Sequence, residues 1–197
     1  MKKNNKLNVK DFINIGIFTA IYVVLGIIVA MFLGFVPITF ILLSVINPFI
    51  CGIPMMLYYS KISKPGMLFI VSLINGLIMI ATGMGYFAII LGVIFSTIAE
   101  LILKSGNYSS IKKSILSYGV FSISTVGCYI PWYLAADSYI ASVTSRYGAA
   151  YTNSIASILS NWWVIIILAI GSFLGGIVGG ILGKKVFNKH FKRSGII

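Results

Sequence analysis

The stretch FINIGIFTAIYVVLGIIVAMFLGFV, residues 12–36, decides the fold. It is apolar or small on every face rather than along one stripe, and such a helix has lipid, not water, as its solvent. About 20 residues rising 1.5 Å each cover a hydrocarbon core of roughly 30 Å, and this run meets that length without a charge. Five further runs of similar character follow at 38–59, 66–83, 86–103, 113–135 and 155–183. The expected fold is all-α: a polytopic membrane protein of six transmembrane helices, forming a single integral membrane domain over 1–197. Gly83, Met84, Gly85 and Tyr86 leave only a short turn between the third and fourth runs. Spanning strands do not fit, because the runs are continuous rather than alternating and a membrane sheet has to close into a barrel.

Composition agrees with this solvent. Of 197 residues 59% are hydrophobic and 9% charged, against about 25% charged in an average soluble domain. The basic residues behind the net charge of +12 lie outside the apolar runs or at their edges. Lys2, Lys3, Lys6 and Lys10 precede the first run, Lys61 and Lys64 follow the second, and Lys104, Lys112 and Lys113 follow the fourth. Lys184, Lys185, Lys189, Lys192 and Arg193 follow the sixth, so of the 15 Lys and Arg only Arg146 falls on the other side. The positive-inside rule then places both termini in the cytoplasm. The basic residues read as anchors at the membrane surface, which removes the basis for a nucleic-acid partner. An N-terminal signal peptide is also set aside, because no small-residue cleavage site ends the first run, which is read as retained. Richness in Ile, Lys and Asn suggests an AT-rich bacterial genome and a multi-pass protein of the bacterial plasma membrane.

Chemistry-bearing residues are scarce. The acids are Asp11, Glu100 and Asp137, and the one histidine, His190, lies in the basic tail. No nucleophile, base or metal-ligand cluster can be assembled within the apolar runs, so the chain is read as no enzyme, with no cofactor and no metal site. Cys51 and Cys128 sit inside apolar runs, where a thiol behaves as a small hydrophobe and no disulfide is expected. Glu100 stands four residues before Lys104, which suggests an i, i+4 pair reaching the interface. Its alternative is a coupling group of the kind found on ion pathways. Small residues recur every four positions at Gly16 and Ala20, at Gly26, Ala30 and Gly34, and at Gly171, Gly175, Gly179 and Gly183. Such faces let helices approach closely, within the chain or against a partner.

The side opposite the lysines differs in character. Its longest connection, about 136–155, is expected to be a loop containing Asp137 and Arg146 and flanked by Trp132, Tyr133, Trp162 and Trp163. Interfacial aromatics form belts, but long loops in compact domains are often binding loops. Trp132, Tyr133, Asp137, Trp162 and Trp163, with Tyr86 from another connection and with Asn75, Thr82 and Asn161 as hydrogen-bonding groups, are the candidate substrate site.

VKDFINIGIFTAIYVVLG (Val9–Gly26) and GKKVFNKHFKRSGI (Gly183–Ile196) resemble the two ends of the Trep-Strep group of S components of energy-coupling-factor (ECF) transporters. The paired features are Lys10-Asp11-Phe12 entering the Gly16-x-x-x-Ala20 helix and Lys189-His190-Phe191 near the close of the chain. The resemblance implies a membrane subunit that captures a small micronutrient at the outer face and delivers it by toppling in the bilayer. Import would then require a transmembrane T subunit and two ABC ATPase subunits as partners. In this class an Ala-x-x-x-Ala face on the first helix docks on the T subunit, and Gly16 and Ala20 are the matching positions, with Gly in place of the first Ala. The alternatives are a self-sufficient secondary transporter or exporter and a non-catalytic membrane scaffold.

Overall fold

The computed structural model describes residues 7–186, and all regular structure among them is helical. The helices are α1 (Val9–Leu33), α2 (Pro37–Lys61), α3 (Met67–Ala81), α4 (Phe87–Ser105), α5 (Ile111–Ser122), α6 (Pro131–Leu134), α7 (Ala136–Tyr147), α8 (Ala149–Leu159) and α9 (Trp163–Val186). A 3-10 segment, Ile123–Tyr129, joins α5 to α6. Five stretches are long and apolar enough to cross a bilayer: α1, α2, α4, the composite Ile111–Leu134 and α9. The helix of the third run, α3, has 15 residues and rises only about 22 Å, less than a hydrocarbon core. Lys2, Lys3, Lys6 and the tail with Lys189, His190, Phe191, Lys192 and Arg193 lie outside the described residues.

Two ionic knots gather the lysine-bearing connections at one end of the bundle. Asn8 and Asp11 form a reciprocal capping box at the start of α1, with bonds of 2.8 and 3.0 Å. The same Asp11 carboxylate meets the Lys64 ammonium at 2.6 Å, tying α1 to the α2–α3 connection. Glu100 does not take the expected partner Lys104. Its carboxylate accepts the N–H groups of Gly66 at 3.1 Å and Leu68 at 3.0 Å, and the Tyr108 hydroxyl at 3.2 Å. The first N–H groups of a helix have no partner within it and carry partial positive charge, so a nearby carboxylate is better placed there than on a mobile lysine.

The most extensive contact between elements is that of α2 with α9. A Cβ added at Gly175, Gly179 or Gly183 would stand 2.4, 2.5 or 2.5 Å from the carbonyl oxygens of Val45, Phe49 and Gly52 respectively. Backbone therefore lies on backbone along this seam, and the sixth-run glycines pack within the chain. Gly16 behaves oppositely: nothing among the described residues lies within 4 Å of its added Cβ, and both Gly16 and Ala20 are exposed. Pro48 interrupts the α2 ladder and leaves the Ser44 carbonyl without its usual N–H. The Thr125 hydroxyl reaches that carbonyl at 3.2 Å, and the Tyr118 hydroxyl donates to the Pro48 carbonyl at 2.7 Å. In lipid, a repair such as the Thr125 bond to the orphaned Ser44 carbonyl is what makes an internal proline tolerable.

The expected loop at 136–155 is instead a helical hairpin, and the run expected at 155–183 is divided. Residues 155–159 finish α8, and α9 begins at Trp163. The hairpin turns at Gly148, whose φ of +86° suits glycine. Tyr139, Ile140 and Val143 on α7, with Tyr151, Ile155 and Leu159 on α8, pack into one apolar cluster with Trp132 and Tyr129. Their i, i+3/i+4 spacing is a helical stripe inside a stretch whose serines and tyrosines resemble loop sequence.

Candidate functional site

A cavity of about 200 Å³ opens between α1, α2, α3, α4 and the α5–3-10 segment, in the half of the bundle away from the lysines. Three pairs of polar residues build its wall: Ser44 and Asn47 on α2, Ser72 and Asn75 on α3, and Thr125 and Cys128 on the 3-10 segment. Each pair is spaced three residues apart, which puts both members on one helical face. Two edge-on aromatic pairs supply the apolar surface. Tyr22 and Phe121 have ring centroids 6.4 Å apart, and Phe40 and Tyr129 have theirs 5.8 Å apart. Among the described residues no Asp, Glu, Lys, Arg or His lines this space.

Most hydroxyls on the wall are already committed. Ser72 pairs with Ser96 at 3.2 Å, Ser44 donates to Ile41, Ser124 to Phe121, and Tyr129 to Phe40 at 2.7 Å. Asn47 Oδ1 accepts the Cys51 thiol at 3.4 Å, while its Nδ2 has no partner among the described residues. The whole Asn75 carboxamide and the Tyr22 hydroxyl likewise form no hydrogen bond to described residues. These three groups are what the cavity offers to an occupant.

Of the residues expected to bind substrate, Asn75 and Thr82 line the cavity and the others do not. Trp132 is buried edge-on against Tyr139 with centroids 5.5 Å apart, and its Nε1 finds no acceptor among the described residues. Tyr133 donates to the Asn161 carbonyl at 3.4 Å, bridging α6 to the start of α9. Asp137 is exposed in the first turn of α7 and Arg146 stands in its last turn, each at the helix end its charge favours. The Arg146 guanidinium also lies against Gly83 in the α3–α4 turn, within 2.5 Å of where a Cβ would stand. Tyr86 stacks on Phe87 at 4.4 Å and is 58% exposed, and Trp162 and Trp163 are 70% and 50% exposed. Rings so placed at the end of a spanning bundle suit the membrane interface.

Tyr22, Asn47, Ser72, Thr125 and Cys128 were not anticipated as wall residues. The signal that would have found them is the recurrence of polar residues three apart inside apolar runs, where a polar group is costly unless it serves a partner or a ligand.

A helical bundle sheathed in exposed Ile, Leu, Val and Phe, with lysines gathered at one end, defines a multi-pass protein of a bacterial membrane. Residues 9–193 match the family described as hypothetical bacterial integral membrane protein (Trep_Strep), and the chain belongs to that family. No curated protein and no solved structure matches the chain.

Proposed function

We propose that this chain is the S component of an energy-coupling-factor importer, with its lysine-rich end in the cytoplasm and its cavity end facing outside. The observation that carries the reading is the ligand-sized, uncharged cavity with unspent hydrogen-bonding groups, set in the half of the bundle away from the lysines. A binding subunit needs such a cavity and nothing more, since ATP hydrolysis belongs to other subunits. Glu100 supports the same choice over a secondary carrier, because its carboxylate is taken up in holding α3 to α4 at the basic end. The exposed Gly16 and Ala20 supply a flat face on α1 for a T subunit, whereas the α9 glycines are used internally. Copurification with a T subunit and two ATPases, and ATP-dependent uptake by that complex in liposomes, test the function. Uptake by the isolated chain would favour the secondary transporter.

Topology is checked by single cysteines on a background lacking Cys51 and Cys128. Ser63→Cys and Ser109→Cys, both exposed at the basic end, are expected to resist an impermeant maleimide added outside. Ser145→Cys on α7 is expected to react. Labelling of Ser63→Cys from outside would overturn the orientation.

Docking is checked by Ala20→Leu. Bulk inserted between helices that nearly touch costs about 1 to 3 kcal/mol, or roughly five- to 150-fold in affinity for the T subunit. Because Ala20 is exposed in the isolated chain, melting temperature and cavity binding are expected to stay unchanged. Loss of stability together with docking would assign Ala20 to internal packing instead.

A further inference from the structure

We infer that the cavity takes an uncharged, flat heterocycle of one or two rings, whose edge carries an N–H donor beside a carbonyl acceptor, read by Asn47 and Asn75. The inference rests on the reading of the cavity as the substrate site and specifies its ligand.

Size comes first. At about 200 Å³ the cavity lies below the roughly 300–1,000 Å³ of ordinary ligand pockets, which suits one or two fused rings rather than a macrocycle. Charge comes next. Among the described residues nothing ionisable lines the wall except phenols and thiols; the Arg146 guanidinium lies against Gly83 in the α3–α4 turn and is not part of the lining. An ion moved from water into such surroundings without a counter-charge against it carries a large desolvation penalty. Backbone does not replace the missing counter-charge. Ala88, in the first turn of α4, lines the wall, but Gly127 packs directly on it: a Cβ at Gly127 would stand 2.8 Å from Ala88 Cα and 3.2 Å from its nitrogen.

Shape follows from the walls. Tyr22, Phe121, Phe40 and Tyr129 present two edge-on pairs, and Met79 and Met84 fill the remaining apolar surface. Aromatic and thioether surfaces favour a flat ring over a branched or hydrated molecule. Polar complementarity then selects the edge. Asn47 retains a free donor at Nδ2, since its oxygen is held by the Cys51 thiol. Asn75 retains both donor and acceptor, and Tyr22 retains its hydroxyl. A carboxamide matches a ring –CO–NH– edge bidentately, donating to the carbonyl and accepting from the N–H. Asn75 on α3 is the group able to do this, and Asn47 on α2 donates to a second carbonyl. An acyl chain would leave all three polar groups unpaired, which is the costly outcome.

The test uses the full chain in nanodiscs and three probes: quinazoline-2,4-dione, its 1,3-dimethyl derivative with both N–H groups blocked, and its 7-carboxylate. The dione is expected to bind and both other probes to bind at least about tenfold more weakly: the dimethyl probe because a site built for a polar edge rejects an analogue that lacks it, the carboxylate because its charge finds no counter-charge on the wall. Asn75→Leu is expected to lose at least about tenfold for the dione and little for the dimethyl probe, with an unchanged melting temperature, since Asn75 bonds to no described side chain or backbone. Absence of dione binding, equal binding of the dimethyl probe, or tighter binding of the carboxylate would each overturn the inference. Tighter carboxylate binding leaves the import reading standing. Dione binding without ATP-dependent uptake by the assembled complex sinks the import reading and leaves the ligand class intact.

Discussion

Gly179→Leu is expected to prevent the bundle from assembling, the largest effect of any single substitution considered for this protein. A Cβ at Gly179 would stand 2.5 Å from the Phe49 carbonyl oxygen and 2.7 Å from that of Pro48. From the other side, a Cβ at Gly52 would stand 2.2 Å from the Gly179 carbonyl carbon. Because the opposing atoms are backbone, no side chain can turn away, and α2 and α9 would have to separate along their whole seam. Ordinary overpacking costs about 1 to 3 kcal/mol, and loss of this seam is expected to exceed about 3 kcal/mol. Close packing has a heightened role here, since in lipid no hydrophobic force drives helix to helix. Thermal unfolding in a mild detergent reads the effect, with Gly16→Leu as the matched control, whose side chain enters open space. Equal melting of wild type and Gly179→Leu would mean that α2 and α9 do not meet in this register.

The second large effect is expected at Glu100. Replacing it by alanine leaves the Gly66 and Leu68 N–H groups at the start of α3 without an acceptor, and removes the partner of Tyr108. A buried donor left unpaired costs about 1 to 3 kcal/mol, and more than one is exposed to that fate here, so a loss of about 2 to 3 kcal/mol is expected. Glu100→Gln is expected to fall between, because a carboxamide keeps one acceptor oxygen and loses the charge favoured at a helix N-terminus. Amide exchange at residues 66–68 should accelerate in the alanine variant while dione binding at the far cavity holds. Transport lost at unchanged stability would instead make Glu100 a coupling group and revive the secondary-carrier reading.

Residues 12–36 and the runs after them were sufficient for the all-helical membrane class, since a helix apolar on every face has only one suitable solvent. Lysine placement likewise showed in advance which connections share one end of the bundle, because the signal is one of composition between runs. Partnerships across the fold were not legible. Glu100 and Lys104 lie one turn apart in the chain, yet the acid turned to α3, whose N–H groups are unpaired by the geometry of every helix start. Gly16 and Gly179 read identically as small residues at fourfold spacing, and only the packed bundle puts one in the open and the other against backbone. The hairpin of α7 and α8 was hidden because its stripe of Tyr139, Val143, Tyr151 and Ile155 is thin among serines and alanines. Of the cavity, Asn75 and Thr82 were visible as polar residues in an apolar run, but Asn47 and Tyr22 were not. A site made from five elements exists only where their faces converge, and convergence depends on helix rotation about the axis. That rotation is set by contacts between helices, such as the glycine seam of α2 and α9, and those contacts pair residues more than a hundred positions apart in the chain, beyond the reach of periodicity within a run.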